Sequence, residues 1–348
     1  YDKYTPINYT LNYTSPLSRF KPKLQLQINS RLLDGLWYHR GGFNWLMNGR
    51  NTIALYAQTM WRPLVYDKDY LIYKNEWSSA RALPNASINA AWTHNYSYLR
   101  GNGTYKVSLR APFLTGNNAK AFDYAYLQME ATNINKLDKL EVRTRLFGRY
   151  GTGSNIPYES ALWLAGANPE ELMENKYTRS IGLMPTDWRD ISRYETNHFQ
   201  QGGGLNLRGY AGYFVADERN GVNMIGYKGR SGIAGNIELD FDEYIKLKPK
   251  FIKDYLHIDA YLFADAGMIE LSNANLSTYW ETTPTTMWSD LRVDAGLGLA
   301  FTIKKWGPFD KAKPLTLRFD MPFFLNRPPY ANPQYANFRY VVGINRTF

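Results

Sequence analysis

Apolar and polar residues alternate along most of this chain with a period of two. From Leu291 to Lys304 the odd positions read Leu291, Val293, Ala295, Leu297, Leu299, Phe301 and Ile303, and the even ones Arg292, Asp294, Gly296, Gly298, Ala300, Thr302 and Lys304. Successive side chains of an extended strand point to opposite faces, so this is a strand with one apolar and one polar face. The same alternation runs through Leu24, Leu26, Ile28; Tyr105, Val107, Leu109; Leu140, Val142, Leu146; and Leu315, Leu317, Phe319. No helical period of useful length occurs. The pattern predicts about thirteen strands, at 3–14, 23–33, 36–47, 51–62, 85–98, 104–114, 122–134, 140–152, 233–244, 255–269, 290–304, 314–325 and 338–348. Strands of soluble sandwiches run about 5 to 6 residues. These are about twice that, the length that crosses hydrocarbon at a tilt in a transmembrane β-barrel. Leu297, Leu299, Phe301, Leu317, Phe319, Val342 and Ile344 are expected to face lipid, and Arg292, Asp294, Arg318 and Asp320 the lumen.

The connectors divide the chain into an N-terminal part of the barrel (1–152, about eight strands), a long loop (153–232) and five last strands (233–348). Short turns near 15–22, Asn48-Gly49, Arg100-Gly101 and 135–139 fall on one side; the 63–84, 153–232 and 270–289 loops fall on the other. Short turns belong to the periplasm and long loops to the outside. A last strand descending to a periplasmic C-terminus then requires the first strand also to descend, which predicts further strands upstream.

Composition narrows the class. The 348 residues include no cysteine, which excludes a disulfide scaffold and a cysteine zinc site. Hydrophobic residues make up 44% and aromatics 16%, too much apolar matter for a disordered chain. No run approaches the roughly 18 apolar residues of a spanning helix. The balance of +10 comes from basic residues scattered along the chain, not a nucleic-acid face; it suits a lumen and rim near anionic lipid and lipopolysaccharide.

The last third resembles a known family. Gly203-Gly204-Leu205-Asn206-Leu207-Arg208-Gly209-Tyr210 is similar to the Arg-Gly-aromatic motif on the sixth extracellular loop of the outer-membrane protein assembly (bacterial surface antigen) barrel superfamily. Ile237-Glu238-Leu239, Phe263-Ala264-Asp265-Ala266-Gly267, Ala295-Gly296-Leu297-Gly298 with Gly307-Pro308, and an aromatic-ended last strand follow in that family's order. The resemblance implies an all-β transmembrane antiparallel barrel of sixteen strands, about three of them missing upstream, with a lumen-folding loop. It also implies that Arg208 is held against the wall. Alternation points Glu238 and Asp265 inward on neighbouring strands, so the loop tip Arg208-Gly209-Tyr210 is expected inside the lumen, with Arg208 in reach of Glu238, Asp265 or both. Further, it implies that the ending marked by Phe338, Tyr340, Val342 and Phe348 is an assembly signal, beside the plainer reading of Phe348 as a girdle aromatic.

Its implied function is insertion of barrels or passage of polypeptides across the outer membrane, with no cofactor. The expected partners are outer-membrane lipid and lipopolysaccharide, a client or passenger polypeptide, and periplasmic or surface lipoprotein subunits, with no nucleic acid. The 153–232 loop is long for a housekeeping insertase, so a second reading makes the barrel an anchor or exporter for an upstream hydrolase or metallopeptidase. A passive porin is a third, opposed by a loop long enough to plug the pore. No catalytic constellation is present: His39, His94, His198 and His257 form no ligand pair, no metal site is expected, and Gly202-Gly203-Gly204 lacks the lysine of a phosphate loop. Seven Asn-x-Ser/Thr triplets are the by-product of polar strand faces.

Overall fold

The computed structural model describes residues 8–19, 23–33, 35–62, 76–78, 84–113, 122–173, 178, 198–212, 215–219, 222–241, 244, 254–272, 286–304, 314–328 and 334–348. Thirteen strands follow one another in a single antiparallel sheet. They are β1 (Tyr9–Pro16), β2 (Leu24–Leu33), β3 (Leu36–Leu46), β4 (Asn51–Trp61), β5 (Asn85–Tyr98), β6 (Gly101–Pro112), β7 (Ala125–Leu137) and β8 (Leu140–Thr152). After the long loop come β9 (Gly232–Asp240), β10 (Leu256–Ser272), β11 (Arg292–Ile303), β12 (Leu315–Leu325) and β13 (Val341–Ile344). A short piece, Thr286–Trp288, pairs beside β10. Each strand pairs with its predecessor, so every connection is local and β8 meets β9 across the whole 153–231 segment.

The two faces are inverted relative to a soluble protein. Leu55, Leu109, Met129, Leu146, Ile233, Ile237, Leu262 and Leu317 are exposed, whereas Gln58, Arg110, Arg145, Arg149, Asn236, Glu238, Asp265 and Arg318 are buried. In β9 the alternation is complete: Gly232, Ala234, Asn236, Glu238 and Asp240 are buried, and Ile233 and Ile237 exposed. Such a wall turns apolar side chains to its surroundings and encloses charge. At the short-turn end of β5 and β6, Trp92, His94, Tyr96, Tyr98 and Tyr105 stack on the outer face, with Tyr96 and Tyr105 centroids 4.8 Å apart.

The sheet curls strongly. Four strand spacings separate β9 from β13, about 19 Å on a flat sheet at ~4.8 Å each. Yet Arg346, two residues past β13, donates to Glu238 of β9 at 2.8 Å. Among the described residues, β1 and β13 do not pair with each other.

The long loop fills the concavity in two halves. Its first half carries α1 (Pro169–Met173), started by a capping box in which Glu171 N donates to Asn168 Oδ1 at 2.9 Å and Asn168 N to Glu171 Oε2 at 3.1 Å, with Pro169 in the first turn. Glu170 on this helix accepts from Gln58 of β4 at 2.6 Å and from Arg110 of β6 at 3.1 Å. The second half, 198–212, lies against β9 to β13. Leu162, Leu164, Leu205, Leu207 and Tyr210 join Phe147, Ala234, Ile269 and Leu325 in one apolar cluster between loop and wall.

Two expectations change. The last strand is Val341–Ile344, not 338–348: Phe338 and Tyr340 precede it, and at Asn345 the backbone takes φ 67°, which ends the extended run and turns Arg346 and Thr347 inward. Asparagine tolerates that left-handed conformation better than most residues, which is why the break falls there. The first strand is Tyr9–Pro16 where 3–14 was expected; residues 3–7, and the Gly307-Pro308 turn, lie outside the described residues.

Candidate functional site: a buried arginine clamp between loop and wall

The segment 203–210 is shaped by local chemistry before it meets the wall. Asn206 sits at φ 61°, and Arg208–Tyr210 close a single 3-10 turn through Tyr210 N to Leu207 O at 3.1 Å. Leu205 and Leu207 bond back to Trp163 and Leu164 at 3.0 and 3.1 Å, so the two halves of the loop brace one another. The wall grips the same backbone: Arg145 Nη2 donates to Gly204 O at 2.9 Å, and Asn236 Nδ2 reaches the carbonyls of Leu205 and Asn206 at 3.3 Å each.

This geometry delivers Arg208 to two inward carboxylates. Its Nε and Nη2 donate to Asp265 Oδ2 and Oδ1 at 2.8 and 2.9 Å, a fork-on-fork pair, and its Nη1 donates to Glu238 Oε1 at 2.7 Å. Its backbone N–H adds a fourth bond, to Asp265 at 3.2 Å, and the guanidinium lies 3.9 Å over the Phe263 ring. Arg208 and Glu238 are 0% and Asp265 1% exposed, so these charges interact with little screening. Burial disfavours the charged guanidinium, but Asp265 and Glu238 outweigh it and hold the Arg208 pKa well above its ordinary value.

Gly209 and Tyr210 complete the tip. A Cβ on Gly209 would lie 2.7 Å from Asp294 Cβ and 2.5 Å from Leu325 Cδ2, so only glycine lets the tip approach this closely. Tyr210 OH donates to Asn326 Oδ1 at 2.9 Å, and Asn326 Oδ1 in turn accepts from Val293 N at 2.7 Å.

Several members carried no sequence signal. Glu238 also accepts from Arg346 at 2.8 Å and from Thr347 at 2.9 Å, so loop tip and chain end share one carboxylate. Arg346 stacks 4.0 Å over Tyr261, whose hydroxyl donates to Asp320 at 2.6 Å; Asp320 pairs with Arg318, and Arg318 holds the Gln200 carbonyl at 2.7 Å. These links cross the concavity, and strand alternation tells only that each residue points inward. Asp294, directly opposite Asp265 across β10 and β11, is 0% exposed, so two carboxyl groups face each other inside the wall. Of the C-terminal residues singled out, Val342 lies in β13, Phe338 is exposed, and Tyr340 packs between Phe319 and His198. Phe348 follows the inward turn and is half-buried. No group of three or more His, Asp or Glu residues suited to a metal ion occurs among the described residues.

No protein-family model matches the chain, and no curated protein matches it. Among solved structures, the chain is similar to BamA from Haemophilus ducreyi lacking POTRA domains 1–3, at 14% identity and a TM-score of 0.46, over 97% of this chain and 62% of that one. The chain thus spans less than two thirds of that protein's length.

Proposed function

We propose that the chain is part of an outer-membrane β-barrel of the assembly-factor type, which inserts polypeptides into the outer membrane or passes them across it without cofactor or catalysis. The observation that carries this reading is the clamp: a loop tip buried in the concavity and fixed to β9 and β10 by Arg208. A pore built for passive diffusion needs an open lumen, and here α1 and the 198–212 segment occupy the concavity from β4 to β13. The exposed apolar face and the stacked aromatics at its short-turn end support membrane residence.

In this reading lipid and lipopolysaccharide surround the wall, the short turns and the C-terminus lie in the periplasm, and accessory lipoproteins attach there. The test uses the full-length protein reconstituted in liposomes with an unfolded small barrel as client. Client folding above the rate of empty liposomes, and reduced by Arg208→Ala, is expected. A porin-like conductance with no effect on client folding would overturn the proposal.

A further inference from the structure

The outer face of the wall has a notch in its middle strands. Gly148 of β8 and Gly235 of β9 point outward, since their neighbours Phe147, Arg149, Ala234 and Asn236 are buried on the inner side. Gly148 pairs with Met129 and Ile233, and Gly235 with Leu146 and Ala266, so each glycine leaves a gap beside a larger side chain. Together they form an apolar groove of about 650 Å³ that extends from Trp92 and Tyr105 to Leu291. That volume falls within the ~300–1,000 Å³ of small-ligand sites.

Nothing in the protein itself demands these two glycines. A Cβ on Gly148 would come no nearer than 3.9 Å to another side chain, at Ile233, and one on Gly235 no nearer than 3.6 Å, at Leu146. Neither has a positive φ, and the register of β8 with β9 runs through both without a bulge. Glycine inside a strand weakens it, and where no bend or bulge accounts for it, it marks a place where another molecule comes close. The glycines of the same face nearer the short turns show the contrast. On β6, a Cβ at Gly101 or Gly103 would strike the ring of Tyr98 or Tyr96, and those rings cross β6 to donate to Asn133 Oδ1 of β7 at 3.0 and 3.1 Å. The wall thus covers its lower outward glycines with its own aromatics and leaves Gly148 and Gly235 bare.

The position of the groove identifies what fills it. The face is apolar and lies in the membrane, so a molecule that reaches it brings a hydrocarbon chain. At the Trp92–Tyr105 end the groove adjoins the stacked rings of His94, Tyr96 and Tyr98, which lead down to the short turns. Arg50, Arg100 and Lys139 stand exposed in three of those turns, with Asp138 the one carboxylate among them. Such cations at the level of the headgroups attract lipid phosphate. Tyr105 lies four residues along β6 from Gly101, about 14 Å at ~3.4 Å per residue. That is within the ~15 Å depth of one leaflet's hydrocarbon, so a chain anchored at the turns reaches the groove. We propose that this face binds one anionic phospholipid, with an acyl chain in the notch over Gly148 and Gly235 and its headgroup at the cations of the short turns. The site goes beyond the polypeptide-handling reading and uses only the outer side of the wall.

The test uses the full-length protein in phosphatidylcholine nanodiscs, with methyl-labelled methionine. The probe is phosphatidylglycerol carrying a nitroxide midway along its acyl chain. Met129 borders the groove, whereas Met321, paired with Leu297 on the outer side of β12, does not. Paramagnetic broadening at Met129 should exceed that at Met321 at least fivefold, and the excess should drop at least threefold when the nitroxide sits on phosphatidylcholine instead. Gly148→Leu with Gly235→Leu fills the notch and should bring Met129 to the level of Met321. Arg50→Gln, Arg100→Gln and Lys139→Gln together leave the strands intact and should remove only the preference for phosphatidylglycerol. Equal broadening at the two methionines in the wild-type protein overturns the site, as does an excess that survives filling of the notch. An excess that is the same for both headgroups overturns the anionic assignment. Client folding is measured separately, so either reading can fail while the other stands.

Discussion

Arg208→Ala removes three side-chain bonds and the stacking on Phe263, but its cost falls unevenly on the two carboxylates. Glu238 keeps Arg346 at 2.8 Å and Thr347 at 2.9 Å. Asp265 keeps the Asn236 amide at 3.0 Å and the backbone N–H of residue 208, and it faces Asp294 across the strand pair. Breaking a buried ion pair by deleting one partner costs ~3–5 kcal/mol, because the other charge stays desolvated. Most of that cost should sit on Asp265. Neutralising it in the same background, Arg208→Ala with Asp265→Asn, should recover ~1–3 kcal/mol, the desolvation cost of an unsatisfied buried group. Arg208→Ala with Glu238→Gln should recover less, and should lose the Arg346 anchor as well. Arg208→Lys keeps a charge but cannot fork to Asp265 while reaching Glu238, so it should fall between wild type and alanine. Urea titration read by the mobility of unheated protein on SDS gels gives the ordering. Equal stability of Arg208→Ala and wild type, or better rescue by Glu238→Gln than by Asp265→Asn, would refute the reasoning.

Four further outcomes follow from the same geometry. Asp294→Asn should raise resistance to urea, because it removes one of two carboxyl groups that face each other in a buried site; a loss of stability in the same titration would show that the carboxyl group is needed there. Gly209→Ala should cost ~1–3 kcal/mol, since the methyl group meets Asp294 and Leu325, and trypsin should then cleave the loop in the folded protein where it does not cleave wild type. Asn345→Val places a β-branched residue at φ 67° and should cost ~1–2 kcal/mol, whereas Asn345→Gly should match wild type, both measured by urea titration. Asp123, at the mouth before β7, is pulled up by burial but held below the usual carboxylate range by the N–H groups of Ser154 at 2.9 Å and Asn155 at 2.6 Å. A depressed folded pKa means its contribution is full above the unfolded value and lost as pH falls through the folded one. Loop protection from protease should therefore weaken on acidification below about pH 4, and Asp123→Asn should be less protected at neutral pH and flatter across that range.

The period-two alternation determined the wall. It located the strands, assigned Leu317 and Ile237 to the outer face and Arg318, Glu238 and Asp265 to the inner one, because a strand's side-chain direction is a local property of the backbone. The capping box at Asn168-Pro169-Glu170-Glu171 is equally local, because its two hydrogen bonds close within one turn. What no stretch of sequence contains is which inward charges meet. Arg110 with Glu170, Arg346 with Glu238 and Arg318 with Gln200 join residues 60, 108 and 118 positions apart. Those pairings depend on how tightly the sheet curls and where an 80-residue loop settles inside it, and both are set by the sum of many weak contacts across the concavity. The end of the chain shows the division most simply. Alternation extended the last strand to Phe348, but the buried carboxylate of Glu238 draws Arg346 and Thr347 inward, and a charge-assisted bond in a desolvated interior outweighs one more pair of strand hydrogen bonds.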